Sequence, residues 1–453
     1  MPDPMPQRQA STPKNLRRRV LFISNGHGED LSGAAVAKAL QQLAPEVELS
    51  ALPIVGAGNS YRREGIFCHC AGATMPSGGF VYMSAFQFWR DIQAGLVGQT
   101  WQQIQAARQF GKTGTTQTHD LVFATGDVVA LAMALATGRA YFSYLVPFSA
   151  YYENRLQLPF PTVQLLRRRR CLQVFGRDQF TVRLLHQQRV NQAQFVGNAF
   201  MDVLPQGQAS SSLGLKSLNL TADPVVALLP GSRLPECGEN FRLILDFCAL
   251  YHDESAAINS NISSGSAVAW YAAITPSLLA QLPELLANTP WQWQLLGQDI
   301  SQGIYLERNS EGNNDGNGAQ KLRVYCVADG FSEILQACTA VVGMAGTALE
   351  QAVGLGKPVI TFVGGGPQFN YRFAEAQQRL LGRSIHLIAP THQKANRDTL
   401  RVAIPVLADC LYNSALQQEC IANGKERIGG MGGAAAMAQA VLDQFEIMAK
   451  DCY

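Results

Sequence analysis

The sequence lacks features that would place it in several common classes. Only 15% of its 453 residues are charged, and the net charge of +2 gives no overall electrostatic basis for binding nucleic acid. It has no run approaching the ~20 apolar residues that a membrane-spanning helix needs, and its first 16 residues lack the apolar core of a signal peptide. The 10 cysteines include no C-x-x-C pair, so neither a zinc site nor a disulfide framework is indicated. These absences favour a cytoplasmic protein with reduced thiols, no metal and no nucleic-acid partner.

Basic residues do cluster locally. Arginines occupy positions 17–19 and 167–170. A solvated surface is the preferred interpretation of both runs, and contact with anionic phosphates or an acidic membrane surface is the alternative. Any membrane contact is therefore expected to be peripheral, at the inner face of the cytoplasmic membrane.

Length and composition predict two domains. Hydrophobic residues make up 47% of the chain, which is ample for burial, and 453 residues exceed the usual size of one core. We expect a flexible tail (1–18), an N-terminal domain (19–204), a linker (205–223), a C-terminal domain (224–428) with a mobile insertion near 308–319, and a C-terminal helix (429–453) that packs back toward the N-terminal domain. The oligomeric state stays open.

Strand and helix patterns alternate in both halves, which predicts α/β domains built on doubly wound parallel sheets. In the first half, buried strands are predicted at 20–24, 48–55 and 120–124, with a helix over 31–43. In the second half, strands are predicted at 225–229, 291–296, 322–327, 340–342 and 358–363.

The first candidate site is the sequence Asn-Gly-His-Gly-Glu-Asp at 25–30, where a strand gives way to a helix. Gly26 and Gly28 allow a ligand to approach the backbone, and the helix start favours anions. His27 suits a general base or a phosphate ligand, although a turn histidine bonded to backbone is the alternative. Its place at the ligand-binding edge of such sheets favours the functional interpretation.

Asp127 forms the second candidate site, in Thr-Gly-Asp just beyond the strand at 120–124. Its carboxylate is suited to accepting the proton of an attacking hydroxyl. An N-cap of the following helix explains the same residue equally well, so both interpretations stay open.

Two candidate anion sites lie in the second half. In Leu-Leu-Pro-Gly-Ser-Arg, Ser232 and Arg233 follow a strand, and the planar guanidinium is suited to gripping a diphosphate. Gly346 and Thr347 open a helix with a phosphate-binding N-terminus, and Glu350 one turn deeper is placed to accept two ribose hydroxyls. A threonine-capped helix is the alternative for this second segment.

The last candidate is the segment Gly-Gly-Gly-Pro-Gln-Phe-Asn-Tyr-Arg at 364–372, again after a strand. The amides of Gln368 and Asn370 can hold sugar hydroxyls because each offers a donor and an acceptor. An ordinary polar surface loop is the alternative.

Taken together, these motifs resemble the lipid-A-disaccharide synthase family, particularly its synthase-related branch. The resemblance spans nearly the whole chain and rests on 25–30, Thr-Gly-Asp at 125–127, Phe-Val-Gly-Asn at 195–198, Leu-Pro-Gly-Ser-Arg at 229–233, and Gly-Thr-Ala-Leu-Glu at 346–350 with Gly-Lys-Pro at 356–358. It implies the GT-B fold, in which two Rossmann-like domains face a central cleft.

The resemblance also implies a function. Its members transfer a sugar from a UDP-sugar to a lipid-linked acceptor, with inversion and without a metal or other cofactor. By that resemblance Arg233, Gly346, Thr347 and Glu350 hold UDP, and Asp127 lies near the reacting centre. Two departures concern the acceptor. The usual first loop, Gly-Glu-Ala-Ser-Gly-Asp, is Asn-Gly-His-Gly-Glu-Asp here, and the usual histidine after Val-Gly is Asn198. The Gly-His-Gly version is similar to the loop of peptidoglycan and galactolipid transferases of the same fold.

We therefore predict an inverting, metal-independent glycosyltransferase that moves an N-acetylglucosamine-type sugar or a hexose to a lipid or lipid-linked acceptor, with His27 or Asp127 as the base. A UDP-sugar epimerase of the same fold and a non-catalytic nucleotide-sugar-binding protein are the alternatives. The aromatic stretch at 80–89 suits either core packing, which is preferred, or insertion into a lipid interface.

Overall fold

The computed structural model describes residues 17–69, 96–113, 118–204, 224–259, 268–308, 321–366 and 369–450. It divides into two compact units. The first comprises Met1–Ser149, Leu156–Phe200 and Gly432–Tyr453, and the second comprises Ala150–Arg155 and Met201–Met431. The predicted tail, linker and insertion, and the aromatic stretch at 80–89, lie largely or wholly outside the described residues.

The first unit is built on a seven-stranded sheet in the order β3-β2-β1-β4-β5-β6-β7. Every pair of neighbouring strands is parallel. The strands are β1 Arg17–Ser24, β2 Glu48–Pro53, β3 Phe67–Cys68, β4 Thr118–Thr125, β5 Ala140–Leu145, β6 Cys171–Gly176 and β7 Ala193–Gln194. Apolar residues such as Ile23, Val122 and Leu145 form the core between the sheet and its helices.

The helices of this unit connect successive strands, as a parallel sheet requires. They are α1 His27–Leu43, α2 Asn59–Arg63, α3 Leu96–Thr113, α4 Val128–Ala136, α5 Thr162–Leu166 and α6 Gln179–Gln187. α1 begins four residues earlier than the prediction of 31–43. Glu29 and Asp30 lie in its first turn, where acidic side chains interact favourably with the positive end of the helix dipole. The N–H of Asp30 donates to the carbonyl of Gly26 at 2.7 Å, so the first helical turn begins there.

The second unit is built on an eight-stranded sheet in the order β10-β11-β12-β9-β8-β13-β14-β15. The strands are β8 Val225–Leu229, β9 Ala269–Ala273, β10 Gln292–Leu295, β11 Ile304–Arg308, β12 Leu322–Val327, β13 Ala340–Gly343, β14 Val359–Phe362 and β15 Ile385–Ile388. β11 runs antiparallel to both of its neighbours, whereas every other pair of neighbouring strands in this sheet is parallel, so the sheet is mainly parallel as predicted. The hairpin joining β10 to β11 is short, and a parallel pairing would need a long crossover.

The helices of the second unit are α7 Glu236–Asn259, α8 Pro276–Leu286, α9 Phe331–Ala337, α10 Thr347–Gly354, α11 Tyr371–Leu381, α12 Arg397–Tyr412 and α13 Ser414–Arg427. A last helix, α14 Gly433–Lys450, follows and packs against α1 of the first unit, to which it belongs. Among the described residues, no helix combines the length and the apolar character needed to cross a bilayer.

The sheet order decides which loops become neighbours. Because β1 and β4 are adjacent and parallel, the loops that follow them emerge at the same edge of the first sheet. In the second sheet, β13 lies between β8 and β14, so the loops after these three strands emerge side by side. All of the candidate site segments follow one of these five strands, at the edge where ligands bind in open α/β sheets.

Candidate functional site

In the first unit, the loops after β1 and β4 are joined by a buried hydrogen bond. The amide Nδ2 of Asn25 donates to Oδ1 of Asp127 at 2.8 Å. Gly126, at a φ of 134°, allows the turn that brings Asp127 to this position, since side-chain-bearing residues rarely adopt that φ. The structure therefore brings together two of the segments that the sequence singled out.

Asp127 is the N-cap of α4. Its Oδ1 also accepts the N–H of Val129 at 2.8 Å, which confirms the capping interpretation. Only 8% of the residue is exposed, and burial raises the pKa of its carboxyl, while the hydrogen bonds from Val129 and Asn25 oppose that rise. A capping role leaves room for a second one, because a buried carboxylate with a raised pKa is a stronger base than an exposed one.

A second buried acid lies one helical turn into α1. Asp30 is 2% exposed, and its Oδ1 accepts a 2.6 Å hydrogen bond from the hydroxyl of Ser24. Burial raises the pKa of Asp30 to about 6, and the Ser24 bond only partly opposes this. Tyr61 of α2 is fully buried, and its hydroxyl lies against the backbone of Gly33 on α1. The first loop thus rests on a buried polar cluster that the sequence did not reveal.

His27 is the first residue of α1, but its side chain lies outside what the structure describes. Of the two flanking glycines, Gly26 faces the Glu29 carboxylate, whereas Gly28 has open space where a side chain would project. Among the described residues, none places a steric demand for glycine at position 28.

In the second unit, the loops after β8 and β13 touch. A Cβ on Gly231 would lie 3.0 Å from the carbonyl oxygen of Met344, and the φ of Gly231 is 102°, so the close approach depends on glycine. Ser232 and Arg233 follow directly and are exposed, before α7 begins at Glu236. The guanidinium is therefore free to face a ligand at this edge.

The start of α10 presents backbone rather than side chains. Gly346 is the N-cap and provides no side-chain cap, and Thr347 is the first helical residue, so the threonine-cap interpretation is wrong. Both residues are exposed, and Glu350 lies half-buried in the first turn. Exposed N–H groups at a helix start are a suitable anion-binding surface.

The triglycine loop after β14 is held from two sides. The N–H of Gly364 donates to the carbonyl of Phe369 at 2.8 Å, and the N–H of Phe369 donates to Oε1 of Glu236 at 2.9 Å. Asn370 caps α11, with its Oδ1 accepting the N–H of Phe373 at 3.0 Å. Gln368 lies outside the described residues, so its predicted sugar contact stays a prediction.

Sequence reasoning missed the residues that hold these loops from behind. Gln377 of α11 is 4% exposed and donates to the carbonyls that precede α10, and Asn240 of α7 donates to the carbonyl of Pro230 at 3.1 Å. A glutamine or asparagine within a helix does not by itself indicate such a role. For Gln377, the helical period indicates only burial, because it places the residue on the same face as the buried Ala374 and Leu381.

Asn198, where the resembled family has histidine, is wholly buried. Its Oδ1 accepts the hydroxyl of Tyr144, and its Nδ2 donates to the carbonyl of Arg177, each at 2.8 Å. The residue ties the ends of β5 and β6 together, which is a structural role that imidazole would not satisfy in the same way.

Comparison with known proteins gives structural matches only. No family model matches the sequence, and no curated protein matches it. Solved structures match over nearly the full length. The calicheamicin glycosyltransferase CalG4 has a TM-score of 0.54 at 15% identity, covering 94% of this chain and 98% of its own. MurG of Acinetobacter baumannii has a TM-score of 0.51 at 12% identity, covering 94% and 99%.

A third match is the UDP-GlcNAc 2-epimerase of Neisseria meningitidis bound to UDP-GlcNAc, with a TM-score of 0.51 at 13% identity, covering 94% of this chain and 100% of its own. The fold is GT-B. Identities this low establish the architecture alone, since one fold hosts many reactions. The predicted fold class is confirmed, and the GT-B neighbours include both transferases and epimerases.

Proposed function

We propose that the chain is a UDP-sugar-dependent glycosyltransferase, inverting and metal-independent, that acts on a lipid or lipid-linked acceptor in the manner of lipid-A-disaccharide synthase. The observation that carries this proposal is the shared edge of β8, β13 and β14. There, the loop that carries exposed Arg233 contacts, through Gly231, the loop that leads into the exposed start of α10. A guanidinium and a helix start together suit a diphosphate.

The neighbouring structures support the nucleotide part of the proposal. The Neisseria enzyme is bound to UDP-GlcNAc, and CalG4 is a glycosyltransferase of the same architecture. The lipid acceptor rests on the motif resemblance alone.

The proposed reaction is a single displacement. An acceptor hydroxyl oxygen forms a bond to the anomeric carbon while the bond from that carbon to the diphosphate oxygen breaks and UDP leaves with the electron pair. The hydroxyl proton passes to Asp127 or His27. Burial of Asp127 favours this role because it raises the pKa of the carboxyl, and Asn25 keeps one carboxylate oxygen fixed. Arg233 and the N–H groups at the start of α10 stabilise the charge on departing UDP.

Epimerisation of a UDP-sugar is the second candidate, because UDP-GlcNAc 2-epimerases match the chain over almost its whole length. It needs the same nucleotide site and no acceptor. Incubation with UDP-GlcNAc alone separates the two functions: conversion to the 2-epimer without acceptor supports the epimerase.

For the transferase, glycolipid formation with UDP release must require both substrates. Candidate acceptors come from lipid extracts of a strain that lacks the gene, and candidate donors from a thermal-shift panel of nucleotide sugars. If no nucleotide sugar raises the melting temperature and no glycolipid changes on deletion, the proposal is overturned.

A further inference from the structure

Gln377 is a deeply buried polar side chain that touches the proposed phosphate edge, with 4% of the residue exposed. It lies on the inward face of α11, and its Nε2 donates to the carbonyl of Ala345 at 3.0 Å and to that of Gly346 at 3.2 Å. Only a donor can face two carbonyl oxygens, so the NH₂ end of the amide must point at this loop. The Oε1 atom is buried and has no hydrogen-bond donor among the described residues. The two carbonyls alone therefore set the orientation of the amide.

Fixing these carbonyls also fixes the amides that follow them. A peptide unit is planar and trans, so its C=O and N–H point in opposite directions. With the carbonyls of Ala345 and Gly346 turned toward Gln377, the N–H groups of Gly346 and Thr347 are turned away from it. Neither N–H donates to an acceptor within the described part of the chain. Both residues are exposed, so this stretch of backbone is open to solvent.

Consecutive N–H groups that point the same way form an anion-binding nest. Here the nest lies beside the loop that carries Arg233, because Gly231 contacts the carbonyl of Met344. The carbonyl of Gly346 also accepts the N–H of Leu349 at 3.0 Å, which further commits this peptide to one orientation.

We propose that Gln377 is a positioning residue for the donor diphosphate: it holds the Gly346 and Thr347 peptides so that their N–H groups form a preorganised nest for phosphate oxygens. This inference rests on the proposed function, since it takes the diphosphate of a UDP-sugar as the ligand. Gln377 touches the loop and not the phosphate, so its effect is indirect. Without it, the nest must be ordered when the ligand binds, and affinity is lost.

The test compares three variants by calorimetric titration with UDP and with uridine. Gln377→Met keeps the volume of the side chain but removes the donor, and Gln378→Met is the matched control on the same helix, because Gln378 donates to Ile385 of β15 instead. The bonds from the nest to charged phosphate oxygens are strong, so loss of the order that Gln377 imposes on the nest should weaken UDP binding roughly tenfold or more in Gln377→Met. Uridine affinity should stay unchanged, because uridine has no phosphate to place in the nest. Gln378→Met should leave both affinities unchanged.

Gln377→Glu supplies a second, pH-dependent readout. An ionised carboxylate cannot donate and repels both carbonyls, whereas a protonated one donates to one of them. UDP affinity of this variant, normalised to the wild type at each pH, should rise as the pH falls from 8 to 5.5. Damage to packing alone would not produce such a recovery. If Gln377→Met does not fold, this pH series decides.

The outcomes separate the inference from the proposed function. UDP binding by the wild type with equal affinity for UDP in both Gln377 variants would overturn the inference and leave the function standing. Equal losses of UDP and uridine affinity would also overturn it, since that pattern indicates general damage. A wild type that binds no UDP would overturn both.

Discussion

The loop-bearing edges of the two sheets present different chemical groups. In the first unit the edge consists of buried side chains locked to one another: Asn25 to Asp127, and Ser24 to Asp30. In the second unit it includes exposed backbone at Gly346 and Thr347 and the exposed guanidinium of Arg233. The same strand-turn-helix arrangement therefore yields two chemistries.

The difference follows from what each turn buries. Carboxyl groups that are removed from water have raised pKa values, which suits proton transfer. Backbone N–H groups that are left in the open at a helix start suit anions. A glycosyl transfer needs both, one for the attacking hydroxyl and one for the departing diphosphate. Variants on each edge should therefore alter different steps.

Asp127→Asn should have the largest effect, because it tests whether the cap is also a base. Asparagine caps helices as well as aspartate does, so the fold and UDP affinity should be kept. Loss of a general base should lower turnover by about 10²–10⁴-fold. The matched control is Asp178→Asn, since Asp178 caps α6 through the N–H of Thr181 and is also buried. Steady-state kinetics measures the turnover, and a UDP titration measures the affinity. Near-normal turnover in Asp127→Asn would show that Asp127 is only a helix cap.

Asp30 should make stability depend on pH in an unusual direction. Its pKa in the folded protein is about 6, above its ordinary value of 3.8, so folding favours the protonated form. Its stabilising effect is complete below pH 4 and is lost as the pH rises through 6. This shift in the pKa of Asp30 corresponds to a change of about 3 kcal/mol in the free energy of unfolding across that pH range.

The measurement is the free energy of unfolding in urea at pH 4 to 8 for the wild type and Asp30→Asn. The variant should gain stability relative to the wild type as the pH rises, with the difference levelling off above pH 6. Asp398→Asn, at a side chain 87% exposed, is the control and should show no such trend. A constant difference between the wild type and Asp30→Asn would mean that Asp30 titrates normally.

Arg233→Gln tests the other edge. Removing the guanidinium should raise the Kd for UDP by about 10- to 100-fold, since hydrogen bonds to charged groups are worth ~1.5–3 kcal/mol. Arg242→Gln is the control, because that exposed arginine of α7 donates only to the carbonyl of Leu285 among the contacts described for it. Salt should weaken UDP binding by the wild type more than by Arg233→Gln. Equal affinity in the two variants would remove Arg233 from the site.

The sequence predicted the backbone of both edges better than the side chains behind them. Two strands were located to the residue: Val225–Leu229 is apolar throughout, and Leu322–Val327 is mainly apolar despite the exposed Arg323. The short, exposed β10 and the antiparallel β11 carry weaker patterns, and the pairing of β11 depends on distant strands. Burial at Asp30 and the orientation of Gln377 depend on tertiary neighbours, which local sequence cannot specify. Asp127 was ambiguous for a physical reason: a cap and a base require the same residue in the same place.

Asn370 should show the smallest effect, and it distinguishes a cap from a ligand contact at the second edge. Its Oδ1 caps α11, so Asn370→Ala should lower the free energy of unfolding by ~1 kcal/mol and Asn370→Ser by only a few tenths. If its amide also holds the donor sugar, both variants should raise the KM for the UDP-sugar without changing the Kd for UDP. Asn413, which caps α13 through Ala415 and Leu416, is the matched control position. An Asn370→Ser variant with unchanged KM would confine Asn370 to capping and leave the sugar to other groups on the loop.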